Sequence, residues 1–403
     1  MIKIGILRET KIPPDRRVPL TPAQCRELKE QFTDLELVVQ PSEMRCFTDE
    51  AYADEEIDLQ EELSDCDILL GVKEVDIDAL IHGKTYLFFS HTAKEQPYNR
   101  KLLQAIAENG ITLVDYEYLT RPDNTRVVAF GRWAGIVGAY NGLRAFGLRR
   151  GTFELEPAWM LHGLKEMKEQ LEGLAAGRAR IVLTGGGRVA NGAVEILRDA
   201  GIWEVKPEDF LERQFNGAVF TRLDPWHYTR HREGKTFDFG HFVAHPSEYE
   251  NTFIPYAKRA DLYIACHFWD PDSPVLLTRE DLRAKDMTLR VIADISCDID
   301  GPIASTIRPS TIEDPLYGYD PQTGLEADDL FGDDVITVMA VDNLPGELPR
   351  DASQDFGRAL LDNVMESLLE ADSSGVIKRA TIVSEGELTP AFGYLENYLE
   401  GAE

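Results

Sequence analysis

The sequence predicts an α/β protein built on parallel sheets. Three observations carry that expectation. Short apolar strands alternate with helical stretches through the first 115 residues, the pattern of a parallel sheet with helical crossovers. The run Arg180-Ile-Val-Leu-Thr-Gly-Gly-Gly-Arg-Val-Ala-Asn-Gly-Ala-Val-Glu-Ile-Leu197 passes from strand through three glycines into helix. At 403 residues, 43% hydrophobic and 9% aromatic, the chain is globular and long enough for two or three domains.

Residues 3–7 alternate and start the first sheet. Residues 8–22 read as a loop, with Pro13, Pro14 and Pro19 among the basic Arg8, Lys11, Arg16 and Arg17. Thr21 then N-caps a helix whose first position is Pro22. Strands follow at 35–39, 68–72, 85–90 and 111–115, with a helix at 98–108. Phe130 opens a small-residue helix suited to close packing between two domains, and 152–178 reads as helical. After the glycine run, the second strand of a nucleotide domain is expected near 202–205. Residues 207–251 are polar and aromatic. Residues 262–266, 289–295 and 335–341 read as buried strands, and the chain beyond Pro345 as helical. The expected division is 1–129 with 341–403 as a substrate domain, and 130–340 as a dinucleotide domain.

Forty-two basic side chains against seventy-one acidic ones leave a net charge of −29. Nucleic acid and anionic membrane surfaces would repel such a chain, so the expected ligands are small molecules. An anionic ligand must then be held by local cations or helix ends. No apolar run approaches membrane-spanning length, and the charged N-terminus does not read as a signal peptide. Five scattered cysteines without a C-x-x-C pair point to a reduced, cytoplasmic protein. Oligomeric state is not readable.

Gly185, Gly187 and Ala190 fit G-x-G-x-x-G/A, in which a bare backbone meets a pyrophosphate at a helix N-terminus. The expected cofactor set is Gly185 and Gly187, with Arg188 and Val189 opening the helix. Polar residues also stand directly after successive strands of the first domain: Lys73 and Glu74, then His91, then Glu117. Ligands of open α/β sheets bind outside strand carboxyl ends, so Lys73, His91 and Glu117 are expected to converge. A lysine can act as a base there only if burial or a neighbouring cation depresses its pKa. Arg16, Arg17, Lys94 and Arg126 are candidates for gripping carboxylates. The spacings His227-x-x-x-His231 and His241-x-x-x-His245 occur in metal sites, but without a cysteine pair or H-E-x-x-H no metal is expected. Cys266 ends an apolar strand and reads as packed, and the acidic run 328–334 as solvated surface.

Arg16-Arg-Val-Pro-Leu-Thr-Pro22, Gly71-Val-Lys-Glu74, Phe88-Phe-Ser-His-Thr-Ala-Lys94, Asp115-Tyr-Glu117, Arg126-Val-Val-Ala-Phe-Gly131, Ala293-Asp-Ile-Ser296 and Val341-Asp-Asn-Leu-Pro345 occur in that order. Together they resemble the lysine-forming saccharopine dehydrogenases. His245-Pro-Ser-Glu-Tyr249 and residues 305–315 resemble in particular the lysine–2-oxoglutarate reductase half of the bifunctional lysine-degrading enzyme. More distantly the chain is similar to alanine dehydrogenase and the nucleotide-binding subunit of transhydrogenase. The resemblance implies two Rossmann-like domains with a cleft between them, and interconversion of saccharopine with L-lysine and 2-oxoglutarate using NAD or NADP. It implies Lys73 as the base that takes the amine proton, His91 as the acid–base group for water and leaving amine, and Glu74 and Glu117 as their tuning carboxylates. It also implies Arg17 and Arg126 on substrate carboxylates, with Lys11 and Lys94 close by, and Asp342 beside the cofactor. Glu204 would favour NAD by taking the ribose hydroxyls, whereas Lys206 would favour NADP; which holds is open, as is the direction of flux. An alanine dehydrogenase-like enzyme and a non-catalytic dinucleotide-binding regulator are the alternatives.

Overall fold

A computed structural model describes residues 1–13 and 15–401; Pro14, part of the expected proline-rich loop, lies outside the described residues. The chain folds into two units, Met1–Phe130 with Pro349–Glu403, and Gly131–Leu348. The return to the first unit therefore falls after Leu348, not at 341. Residues 344–348 stay with the second unit because Glu347 accepts a hydrogen bond from Asn141 (2.8 Å), and Leu344 lies against Gly138.

The first unit contains β1 (Ile2–Ile6), β2 (Leu35–Val39), β3 (Asp58–Leu59), β4 (Ile68–Leu70), β5 (Thr85–Phe88) and β6 (Thr112–Asp115). They lie in the order β3-β2-β1-β4-β5-β6, all parallel. Two late segments, Thr381–Ser384 and Glu387–Leu388, extend the sheet antiparallel beyond β6, where only helix was expected. The helix Pro22–Gln31 begins with the Thr21 cap: Gln24 N–H donates to Thr21 Oγ1, and Thr21 N–H donates to Gln24 Oε1 (2.9 Å). Leu69, Tyr86, Phe88, Leu103, Ile106 and Leu113 form the centre of this unit's core.

The second unit contains β7 (Arg180–Thr184), β8 (Trp203–Glu204), β9 (Val219–Leu223), β10 (Thr229–His231), β11 (Tyr249–Asn251), β12 (Leu262–Ala265), β13 (Val291–Asp294), β14 (Leu316–Asp320), β15 (Leu325–Ala327) and β16 (Ile336–Met339). Its large sheet runs β8-β9-β7-β12-β13-β16-β14-β15, the last two strands antiparallel. β10 and β11 pair separately. Both units are thus Rossmann-like, each with its strand order reversing about the first strand.

Three local expectations fail for physical reasons. The 202–205 strand is only two exposed residues at the sheet edge, and β9, almost wholly buried, takes the place beside β7. Within 152–178 the main helix is Leu164–Leu171, bounded by Gly163 and by a glycine at 173 in the left-handed region. The helix Gly131–Arg150 does pack closely, but its glycines do so inside its own unit. A Cβ on Gly135 would lie 1.9 Å from the Val189 carbonyl oxygen, and one on Gly192 2.1 Å from that of Arg132. Bare glycines let this helix lie against the helix Arg188–Asp199, which follows the glycine turn.

Candidate active site

Each sequence-predicted reactive group of the first unit stands just past a strand's carboxyl end. Lys73 and Glu74 follow β4, His91 follows β5, and Glu117 follows β6. Buried Asp115 sets the last two turns: it accepts from Ser90 N–H (2.9 Å), Ser90 Oγ (2.5 Å) and Glu117 N–H (2.7 Å). His91 itself sits at φ +53°, a left-handed conformation uncommon for a side-chain-bearing residue and concentrated at functional sites.

Two carboxylates organise the charges. Glu74 bridges His91 Nδ1 (2.6 Å) and Lys11 Nζ (2.8 Å). Burial alone would raise its pKa, but His91 and Lys11 outweigh that and hold the carboxyl at about 2. Glu117 receives Arg126 Nη2 (2.5 Å) and Lys94 Nζ (3.1 Å). Burial opposes its ionisation too, yet Lys94 and Arg126 keep it below the usual carboxylate range. The turn between Thr120 and Arg126 bridges back on itself, which returns Arg126 to Glu117.

Lys73 is different. No hydrogen-bond or ion-pair partner for its amine exists among the described residues. Burial, and then the Arg17 guanidinium, push its pKa down, against Asp15 and Glu74. Its backbone is pinned by Glu9, whose carboxyl accepts the N–H groups of Val72 (2.7 Å) and Lys73 (2.9 Å). Burial pushes Glu9 itself up to about 7. Arg17, expected at the substrate, is only 3% exposed and grips Asp15 through two nitrogens (2.9 and 2.6 Å) with its guanidinium over Phe130. Lys11, Lys94 and Arg126 are far more exposed. Glu9 and Asp15 went unnoticed in the sequence, because an acid inside a basic loop gives no sign of its partner.

The second unit carries a pocket of about 730 Å³ at the carboxyl ends of β7, β9, β12 and β13. Gly185, Gly187, Arg188 and Val189 all line it. Gly185 adopts φ +111°, and a Cβ there would lie 2.6 Å from the Cys266 carbonyl oxygen. A Cβ on Gly187, the cap of the helix Arg188–Asp199, would meet open space, and a helix N-terminus carries unbonded amides. The neutral His267, its pKa pushed down to about 4 by burial, contacts Thr184 Oγ1 through Nδ1 (2.8 Å). Its buried Nε2 has no hydrogen-bond partner among the described residues. An open glycine backbone, a helix N-terminus and an orphaned polar atom fit a dinucleotide. Cys266 is buried there with its thiol pushed up, so it is packed rather than poised as a nucleophile.

Two expected cofactor residues lie elsewhere. Glu204 is on the edge strand β8, paired with Arg198 (2.6 Å), and Asp342 is an exposed turn residue after β16; neither lines the pocket. Two acids do so, Asp298 and Asp224, the latter immediately after β9. A Cβ on Gly186 would lie 2.5 Å from its Oδ1. Its signal was present, an acid closing a strand about forty residues after the glycines, but it required recognising β9 as the strand beside β7.

Fold and sites thus define a protein of two Rossmann-like units, one bearing a charged strand-end cluster and the other a glycine-turn pocket. The model of the alanine dehydrogenase/PNT N-terminal domain matches residues 5–137, and that of the C-terminal domain matches 158–391. The chain belongs to the alanine dehydrogenase/PNT family. It is 32% identical to an alpha-aminoadipic semialdehyde synthase of Arabidopsis thaliana over 97% of this chain and 41% of that one. It is 26% identical to an Emericella nidulans saccharopine dehydrogenase [NAD(+), L-lysine-forming], covering 94% of this chain and 95% of the other. The chain therefore spans about two fifths of the plant relative and nearly all of the fungal one. An L-alanine dehydrogenase structure superposes with a TM-score of 0.68 at 17% identity, covering 99% of this chain and all of that one, which shows the shared fold. No helix among the described residues is long and apolar enough to cross a membrane.

Proposed function

We propose that this chain is an oxidoreductase that interconverts saccharopine with L-lysine and 2-oxoglutarate, using NAD. The observation that carries the reading is Lys73: an amine with a depressed pKa and no partner among the described residues, beside the Lys11–Glu74–His91 chain. Near-full-length similarity to the fungal saccharopine dehydrogenase supports it.

In the oxidative direction Lys73 takes the proton from the secondary amine of saccharopine, so that the adjacent carbon can give up hydride. The bound nicotinamide supplies the hydride acceptor. His91, held by Glu74, takes a proton from water as it adds to the imine and returns one to the departing lysine nitrogen. Lys11, Lys94 and Arg126 hold the substrate's three carboxylates, and Arg17 keeps Lys73 poised from behind. Glu117 orders Lys94 and Arg126.

In the second unit Gly185, Gly187, Arg188 and Val189 hold the pyrophosphate and Asp224 takes the adenine ribose hydroxyls. A carboxylate there would repel a 2′-phosphate, which favours NAD over NADP. The five cysteines are all unpaired, in keeping with a reducing compartment, and we place the protein in the cytoplasm.

The test is an activity panel with reduced NAD and reduced NADP against several amines and oxo acids. Cofactor oxidation that needs both lysine and 2-oxoglutarate, and is lost in Lys73→Met, supports the reading. No oxidation above the variant's background would overturn it. Turnover with ammonia in place of lysine would move it to an amino-acid dehydrogenase.

A further inference from the structure

The segment between β9 and β12 gathers a second set of ligating groups that the proposed reaction does not use. The histidine pairs at i, i+4 spacing do not form it. One member of each pair does, joined by a glutamate: His231 from β10, His241 from the helix Phe239–Ala244, and Glu248 just ahead of β11. One ligand atom from each of the three lies within 4.8 Å of the others. His231 Nε2 is 3.1 Å from Glu248 Oε2, and His241 Nε2 is 3.8 Å from that oxygen. Bonds of about 2.0–2.1 Å in a tetrahedral zinc site place ligand atoms roughly 3.4 Å apart, so both distances are close to what a metal needs.

The hydrogen bonds around His241 point the same way. When Tyr249 Oη donates to the Asp238 carbonyl (3.4 Å), it is free to accept from His241 Nδ1 (3.2 Å). A proton on Nδ1 leaves the Nε2 lone pair facing the Glu248 carboxylate. A cation placed between these two groups would be bound by both, and a ligating histidine ordinarily donates its other N–H in this way. His231 needs one adjustment. Its Nδ1 accepts the Glu233 N–H (3.1 Å), so its single proton must move from Nε2 to Nδ1. The Glu233 N–H, in an exposed turn, then turns to water.

We propose that His231, His241 and Glu248 bind a divalent transition cation of the zinc class, with water or the neighbouring His245 in the fourth position. The rings of His241 and His245 are 4.9 Å apart. The ion joins the helix Phe239–Ala244 to the β10–β11 ribbon. Phe239, Phe242 and Val243 of that helix line the pocket assigned to the dinucleotide, so the ion holds that wall in place.

The binding test needs no dinucleotide, so its result is separate from that of the proposed reaction. Tag-free, chelator-treated full-length chain is titrated with Co²⁺ alone and then with Zn²⁺. One equivalent of Co²⁺ with a tetrahedral visible absorption, displaced by Zn²⁺, is expected. His241→Ala and Glu248→Gln, both at solvent-accessible positions, should each weaken binding at least about tenfold while circular dichroism stays unchanged. The proposal falls if no ion binds, or if binding is the same in both variants. It also falls if the cobalt spectrum shows thiolate charge transfer, because the metal would then sit on cysteine.

Discussion

As the proposed base, Lys73 works only if its amine is neutral when the substrate arrives, so charges near it should move the acid limb of the kcat/KM profile for the proposed saccharopine oxidation. Lys11 depresses the Lys73 pKa and Glu74 raises it. Lys11→Met removes a cation and also releases Glu74 from its partner, and both changes raise the amine's pKa. The limb should move to higher pH, by up to about one unit. Glu74→Gln removes an anion and should move the limb to lower pH. Shifts of the same sign in the two variants would refute Lys73 as the titrating base. Lys73→Met should cost roughly 10²–10⁴ in kcat, with the Kd for the dinucleotide unchanged by isothermal titration. These positions could be picked out from the sequence because each strand ends abruptly in its polar residue. Their partners could not. Asp15 against Arg17 and Glu9 under Lys73 are close contacts of a folded loop, and hydrophobic periodicity says nothing about which way a loop residue turns.

Among the elements, the helix pair Gly131–Arg150 and Arg188–Asp199 ties stability to the glycine turn. Gly135→Ala would drive a methyl into the Val189 backbone, costing about 1–3 kcal/mol as overpacking. Thermal denaturation should show a melting temperature lower by several degrees. Because Val189 lines the pocket, dinucleotide Kd should rise as well; an unchanged Kd would separate the packing from the site. The turn Leu344–Glu347 offers a pH test. Burial pushes Glu347 up to about 8, above the roughly 4.3 of an unfolded glutamate. The native state therefore holds the proton longer, and this group's contribution falls as pH rises between those values. Glu347→Gln removes that titration and keeps an acceptor for Asn141. Its stability relative to the parent should grow from about pH 5 to pH 8, by as much as a few kcal/mol. A constant difference between the two chains in chemical denaturation would refute the assignment. At this scale the sequence was legible where strands are uniformly apolar. It misled at β9, where Thr221 and Arg222 break the run although Thr221 is fully buried. It misled equally at 202–205, where the paired strand is only Trp203 and Glu204 at an exposed edge.

Over the whole molecule, a net charge of −29 sets self-repulsion against compactness. Raising sodium chloride from about 0.01 to 0.2 M shortens the Debye length from about 30 to below 10 Å and should raise the melting temperature. A fall would mean that specific ion pairs outweigh the net repulsion. The first unit is also assembled from both ends of the chain. Ser353 Oγ accepts the Val18 N–H (2.9 Å), Tyr394 Oη donates to the Ala93 carbonyl near His91 (3.0 Å), and Phe356 stacks on Phe130 at 4.5 Å. Thr381–Ser384 completes the sheet against β6. During synthesis residues 1–130 emerge well before Thr381–Ser384, so the β6 edge stays unpaired until that later segment arrives. Domains usually fold in the order they are made. Here the inserted unit is complete earlier, and the proposed catalytic half settles after it, leaving chaperones a long interval in which to shield it.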